Sequence, residues 1–451
     1  MKKNDIIPLK ITDMAGQGSG IGHIDGMAVF APLTAPGDTI EAHILKVKKN
    51  CAFAKADSII TPSPMRIEPD CDCYAKCGGC VFRHISYEEE LKFKEKRVFD
   101  ALTRIGKLKD FKMNSIVGCA DPNHYRNKSQ IPVGRDKNGN VITGFFGNHS
   151  HRIIDCAECK LHPTKFDEIT SLIKKWITNY NISVYDETTG KGLLRHIYIR
   201  HAKSNDQIMV CLVINGNDIP HRKELTESIT CNYSNVKSII LNINRERTNV
   251  ILGKKCVTIF GSDHINDILC GLSFDISPLS FYQINHDQTE KLYSIAKSSA
   301  QLTGDEFLID LYCGAGTIGL SMAHEVKSLL GIEIIQQAVE NAKANALKNN
   351  IHNAEFICSD ASVAAKELTK KKIRPDVVII DPPRKGCDRT VIDAICTISP
   401  KRVVYVSCDP ETLARDLALF NEKGYITSEV TPVDMFPRTQ HVECVVSLST
   451  N

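Results

Sequence analysis

Of the 18 cysteines in this 451-residue chain, one stands where a thiol could do covalent chemistry. Val403-Val404-Tyr405-Val406 is a short apolar run, and Ser407-Cys408 follows it directly before Asp409-Pro410. Such a run, stopped by a breaker, predicts a buried strand with Cys408 just past its carboxyl end. Ligands of open α/β sheets sit at that end of the strands. Cys408 is therefore a candidate nucleophile, although most buried thiols serve only as small hydrophobes. A second group of thiols is crowded into Cys71-Asp72-Cys73-Tyr74-Ala75-Lys76-Cys77-Gly78-Gly79-Cys80. Gly78 and Gly79 allow a tight fold that turns Cys77 and Cys80 toward one centre. Clusters of this kind bind zinc or iron–sulfur. With Cys71, Cys77 and Cys80 as three ligands, the fourth could be Cys73, or a distant thiol from Asp155-Cys156-Ala157-Glu158-Cys159-Lys160. On the residues alone, zinc and iron–sulfur stand even.

The third group is a set of acids at strand ends. Residues 307–311 read as a strand running into Tyr312-Cys313-Gly314-Ala315-Gly316-Thr317-Ile318-Gly319. That loop matches the glycine pattern of dinucleotide sites, but Asp310 precedes it. An acid there repels a pyrophosphate and suits the ammonium of a methionine moiety. Glu333 ends the next strand, where a carboxylate can take both ribose hydroxyls. Asp360 follows the third strand, within reach of an adenine amino group. The fourth strand, 377–380, runs into Asp381-Pro382-Pro383-Arg384-Lys385-Gly386, and the strand before Cys408 is the fifth. Together these point to S-adenosylmethionine rather than a nicotinamide dinucleotide.

The strand–helix alternation from residue 307 onward predicts a parallel sheet. At the other end, residues 6–11, 27–31, 39–47 and 51–56 are β-prone, and Gly16, Gly18, Gly20 and Gly22 read as one loop. About five strands in so short a stretch suggest a small OB-like barrel, a fold often used on nucleic acid. Pro62, Pro64 and Pro69 mark a linker. Residues 86–105 have the spacing of an amphipathic helix, with its charges expected on a solvated face. Residues 124–154 read as a hairpin about the turn Asp136-Lys137-Asn138-Gly139-Asn140. Arg126, Lys128 and Arg135 would give it a basic face suited to single-stranded nucleic acid. Residues 160–270 add helix and strand without a motif. The expected division is a barrel over 1–58, a central α+β segment over 59–270 and a Rossmann-like α/β segment over 271–451.

A net charge of +3 excludes a chain-wide attraction to polyanions, so a nucleic-acid partner must be met by a local basic surface. No apolar run reaches the length of a membrane span, and Met1-Lys2-Lys3-Asn4-Asp5 opens no signal peptide. The expectation is a cytoplasmic protein with no membrane partner and mostly reduced thiols.

Three stretches taken together resemble the RNA uracil-5-methyltransferase family. They are Asp381 to Gly386 as written above, Val406-Ser407-Cys408-Asp409-Pro410, and Phe436-Pro437-Arg438-Thr439-Gln440-His441-Val442-Glu443. The N-terminal strands resemble the TRAM module, a small RNA-binding barrel, so the likeness spans almost the whole chain. It implies that Cys408 attacks uracil C6 and that Glu443 is the base. It also implies that Gln283, Tyr312, Glu333 and Asp381 bind S-adenosylmethionine, alongside Asp310, Gly314 and Asp360. It implies a [4Fe–4S] cluster on Cys71, Cys77, Cys80 and Cys159. Cys159 is preferred because Glu158-Cys159-Lys160-Leu161 matches the ligand context, and Cys73 is left over. The implied substrate is RNA in a monomeric enzyme. 23S ribosomal RNA is favoured over transfer RNA because tRNA-specific members generally lack both barrel and cluster. Asp409 departs from the family, which more often has Asn there. Two rival readings are an NAD-dependent oxidoreductase and a non-catalytic iron–sulfur RNA-binding regulator. Asp310 speaks against the first, and the retained Cys408 and Glu443 against the second.

Overall fold

The computed structural model describes every residue except His149 and Asn451. The first five strands, Ile6–Met14, Gly20–Ile24, Met27–Ala31, Thr39–Val47 and Cys51–Thr61, close into a barrel. Leu9, Ile11, Val29, Ile40, Ile44 and Ala52 alternate inward to fill it. The glycine-rich stretch is not a single loop, because Gly20–Ile24 is a barrel strand. The reason is crowding: a Cβ at Gly22 would lie 2.5 Å from the Lys10 carbonyl oxygen, and one at Gly20 would lie 2.1 Å from Thr34 Oγ1. Glycine inside a strand often marks such a close approach.

The middle of the chain forms a seven-stranded sheet in the order Lys255–Gly261, Val236–Ile243, Gln207–Ile214, Leu194–Ala202, Lys128–Arg135, Val141–Phe146, Ile153–Asp155. Helices Thr164–Asn179 and Arg222–Asn232 cover it, with Phe166, Ile173, Trp176, Leu225 and Ile229 in the shared core.

The C-terminal sheet has eight strands. Their order is Ala354–Cys358, Ser328–Glu333, Phe307–Leu311, Val377–Ile380, Arg402–Ser407, Glu443–Thr450, Tyr425–Val433, Lys112–Met113. The first five are parallel. The strand order reverses between Phe307–Leu311 and Val377–Ile380, and a crevice opens at the carboxyl ends there. Glu443–Thr450 runs antiparallel to Arg402–Ser407, with Ser407 opposite Cys444. Cys408 and Glu443 are the next residues outward, so this register brings them to the same end of the sheet.

One expectation is corrected, and one segment packs away from its neighbours in sequence. Helix Tyr87–Arg104, capped by Ser86, packs on helix Pro410–Glu422, and Lys112–Met113 joins the edge of the C-terminal sheet. Residues 87–113 thus lie against the C-terminal layer rather than in a contiguous central segment. The charges of that helix are not all solvated either. Glu90 and Lys94 are buried, and Lys94 Nζ stands 2.7 Å from both Glu90 and Asp434. Periodicity marks a helix face but cannot say what packs against it. No helix among the described residues is long and apolar enough to cross a membrane.

Candidate functional site

The crevice gathers most of the expected acids. Asp310 sits in its strand with Oδ2 accepting the Gly319 amide at 2.9 Å, while its buried Oδ1 has no partner. Gly319 has to be glycine, because a Cβ there would come within 2.7 Å of that carboxylate oxygen. Burial, then the charges of Asp381 and Glu333, push the Asp310 carboxyl up to about 8. After the strand the chain turns through Tyr312 at φ 64°, a left-handed conformation costly for a side chain of this size. Gly314 follows at φ 55° and donates its amide to Glu333 Oε2 at 3.1 Å. Glu333 Oε1 accepts from the Ile335 amide at 2.9 Å. The Glu333 carboxylate is thereby aimed along the loop, with lone pairs left for hydroxyl donors.

Gln283 and Asp360 are at the margins. The Gln283 carbonyl accepts from Asn127 Nδ2 at 2.7 Å, which ties its segment to the central sheet. Asp360 is exposed and caps helix Ala361–Lys370, accepting from the Ser362 amide at 2.9 Å. Its other oxygen is free to meet an amino group.

Cys408, Asp381 and Glu443 form a second cluster. Burial pushes Glu443 up to about 8, aided by the Asp381 charge and opposed by Arg384. Burial alone brings Asp381 up to about 7. The Cys408 thiol is pushed up to about 12 by burial, then by Glu443 and Asp381, with Arg384 opposing. Asp409 adds to that rise while it caps helix Pro410–Glu422, accepting from the Thr412 amide at 2.9 Å. An asparagine would cap equally well, so the departure from the family changes charge rather than shape. His441 is held neutral, its pKa lowered to about 4 by burial and by Arg384 and Arg97. The cluster opens into a cleft of about 700 Å³ between the C-terminal sheet and the barrel, lined by Arg384, Cys408, Asp409, His441, Phe30 and Phe53.

The loop that leads to Glu443 is locked by a buried ion network that sequence reasoning missed. Lys94 Nζ meets Glu90, Asp434 and the Phe436 carbonyl. Tyr87 donates to Asp434 at 2.7 Å, and Glu90 accepts the Arg438 amide at 2.7 Å. These contacts hold Arg438 at φ 68° and so fix the path into Gln440, His441 and Glu443. The spacing of Glu90 and Lys94, one helical turn apart, is the only signal the sequence carries, and it is shared by many solvated pairs.

Cys71, Cys77, Cys80 and Cys159 line one cavity of about 180 Å³ together with Cys156. Gly79 donates to Cys77 Sγ at 3.4 Å and Arg83 Nε to Cys80 Sγ at 3.3 Å. Cys73 and Cys156 lie side by side, with Cα atoms 6.3 Å apart, and Cys71, Cys77, Cys80 and Cys159 are free. Among the described residues, no group of three or more His, Cys, Asp or Glu could hold a metal ion. Arg126 and Lys128 line the same cavity from the central sheet. Burial, then the charges of Arg200 and Arg126, lower Lys128 to about 8, so these cations meet one another rather than an acid. Arg135 is apart, at the hairpin turn, with its guanidinium on the Gly139 carbonyl.

The family model described as tRNA (Uracil-5-)-methyltransferase matches residues 86–451, and that of the TRAM domain matches residues 2–56. A protein of Clostridium tetani named as an RNA methyltransferase is 45% identical over 449 residues, covering 100% of this chain and 97% of its own. One of Halalkalibacterium halodurans, named likewise, is 42% identical over 99% of this chain and 98% of its own. The solved structure of a tRNA (uracil-54, C5)-methyltransferase from Pyrococcus abyssi, in complex with S-adenosyl-L-homocysteine, is 28% identical. It aligns with a TM-score of 0.79 over 98% of this chain and 99% of its own.

Proposed function

Because the chain belongs to the tRNA (uracil-5-)-methyltransferase family and is an S-adenosylmethionine-dependent RNA methyltransferase, we propose that it methylates C5 of a uridine through a covalent bond between Cys408 and uracil C6. The observation that carries this is the antiparallel register of Ser407 with Cys444, which sets Cys408 beside Glu443, whose charge raises the pKa of the thiol.

Uracil C5 is a poor nucleophile. Addition of the Cys408 thiolate at C6 moves the ring electrons toward C5 and O4, so that C5 can take a methyl group. Arg384 is the cation that favours this thiolate and balances charge on the ring. C5 then carries both the methyl and its original proton. Glu443 takes that proton, the electron pair reforms C5=C6, and the Cys408–C6 bond breaks to return the thiolate. A carboxylate whose proton is lost near pH 8 is well matched to this step.

S-adenosylmethionine supplies the methyl group when bound. The residues present fit it: the unpartnered Asp310 Oδ1 suits an ammonium, Glu333 suits ribose hydroxyls, Tyr312 and Gly314 turn the loop between them, and Asp381 is near enough to raise the Asp310 pKa, while Gln283 and Asp360 join the set on the family resemblance. On the family resemblance and the cavity they share, we further read Cys71, Cys77, Cys80 and Cys159 as ligands of a [4Fe–4S] cluster, although as they stand they do not converge on a metal-ion site; the unpaired Nη2 of Arg83 and the nearby Arg126 would offset the cluster's negative charge. Its role would be to brace the 71–80 segment against the central sheet. The domain division of the sequence reading, barrel, central segment and catalytic segment, is kept with residues 87–113 reassigned to the last. The cytoplasmic location expected from the sequence accords with an RNA substrate.

Sequence resemblance implies ribosomal RNA as the target. The Pyrococcus tRNA enzyme, however, aligns over 98% of this chain, so a barrel at the N-terminus does not separate the two substrates. Transfer of labelled methyl from S-adenosylmethionine to RNA, with 5-methyluridine mapped in both ribosomal and transfer RNA of a deletion strain, tests the reading. A loss in one of them names the substrate. Unchanged 5-methyluridine in both, with no methyl transfer in vitro, refutes uridine C5 as the target.

A further inference from the structure

The wall of the cleft that faces Cys408 belongs to the barrel and carries two aromatic rings. Phe30 and Phe53 are register partners on neighbouring parallel strands. The pair before them, Val29 and Ala52, is wholly buried in the barrel core, so the alternation of a β-strand puts both rings on the outer face. The rings lie 5.7 Å apart at 27° and stack. Phe53 is 37% exposed, and Lys48 Nζ stands 5.2 Å from its centroid. The barrel core does not require these rings, yet they line the same cleft as Cys408, Arg384 and His441.

We propose that Phe30 and Phe53, with Lys48, form a stacking platform for an unpaired nucleobase next to the target uridine. The proposal rests on the RNA reading above and adds the part of the substrate that the barrel grips. An apolar ring face beside lysine and arginine matches a base on its phosphate chain, whereas a protein partner here would block the nucleophile. Moving a base out of its stack costs free energy. A neighbour stacked on Phe53 would offset part of that cost, since any base presents a π-face. Substrates would then be single-stranded at the target and beside it.

The test uses the full chain and two probes, a short oligouridylate and an abasic ribose-phosphate oligomer of equal length and charge. Phe53→Ala is expected to weaken oligouridylate binding by about 5- to 150-fold, leaving abasic-oligomer and S-adenosylmethionine binding unchanged. Phe53→Tyr should restore the affinity. The chain has one tryptophan, the buried Trp176, so Phe53→Trp also adds a surface reporter. Oligouridylate should quench its fluorescence and the abasic oligomer should not. Equal weakening of both probes, no weakening of either, or no rescue by Phe53→Tyr would overturn the platform. Wild-type chain that binds oligouridylate through Phe53 but transfers no methyl to RNA would overturn the catalytic reading and leave the platform standing.

Discussion

Replacing Glu443 by glutamine should stop the reaction after methyl transfer. The carboxyl is buried at 4% exposure and gives up its proton near pH 8. In wild type it is therefore ionised in roughly one molecule in ten at pH 7 and in about nine in ten at pH 9. The rate of proton removal should rise about tenfold between those values, because only the ionised form accepts the C5 proton. The amide keeps the shape but cannot accept a proton, and loss of a general base costs about 10²- to 10⁴-fold. The Cys408–C6 bond cannot break until the proton leaves, so a methylated protein–RNA adduct accumulates. The assay is denaturing electrophoresis with label in both RNA and the methyl group, and Cys408→Ala, which binds cofactor but forms no adduct, is its control. Removing the Glu443 charge should also lower the Cys408 pKa, since that charge is the largest cause of its rise after burial. Iodoacetamide should then alkylate the free variant faster at pH 9 than it alkylates wild type. Normal turnover, or a block with no adduct, would refute Glu443 as the base and pass the role to His441 or a water.

Asp409→Asn should keep the helix cap and lower the Cys408 pKa, seen as faster alkylation at fixed pH with unchanged thermal stability. Cys159→Ser should lose iron and sulfide from anaerobically purified protein while Cys156→Ser retains them; zinc alone in the wild type would sink the iron–sulfur reading. Lys94→Met leaves Glu90 and Asp434 buried without their cation and should cost roughly 3–5 kcal/mol, measured by urea denaturation.

Local chemistry was legible in the residues themselves. The apolar run into Cys408, the acids at strand ends and the glycine loop are short-range patterns, and the strands Phe307–Leu311 and Val377–Ile380 fall where periodicity and breakers put them. Spacing and family likeness single out Cys71, Cys77, Cys80 and Cys159, and the structure places them with Cys156 around one cavity. Other features are contacts between segments distant in the chain, which no local pattern encodes. The register that sets Glu443 beside Cys408 comes from pairing Arg402–Ser407 with Glu443–Thr450. Glu90 and Lys94 looked like a solvated helical pair until Asp434, 340 residues beyond Lys94, closed over them. Phe30 and Phe53 were ordinary strand residues until the barrel was seated against the cleft. The sequence by itself determined which groups could react. Tertiary structure decided their protonation and their partners, because burial and through-space charge act between residues that the chain keeps far apart.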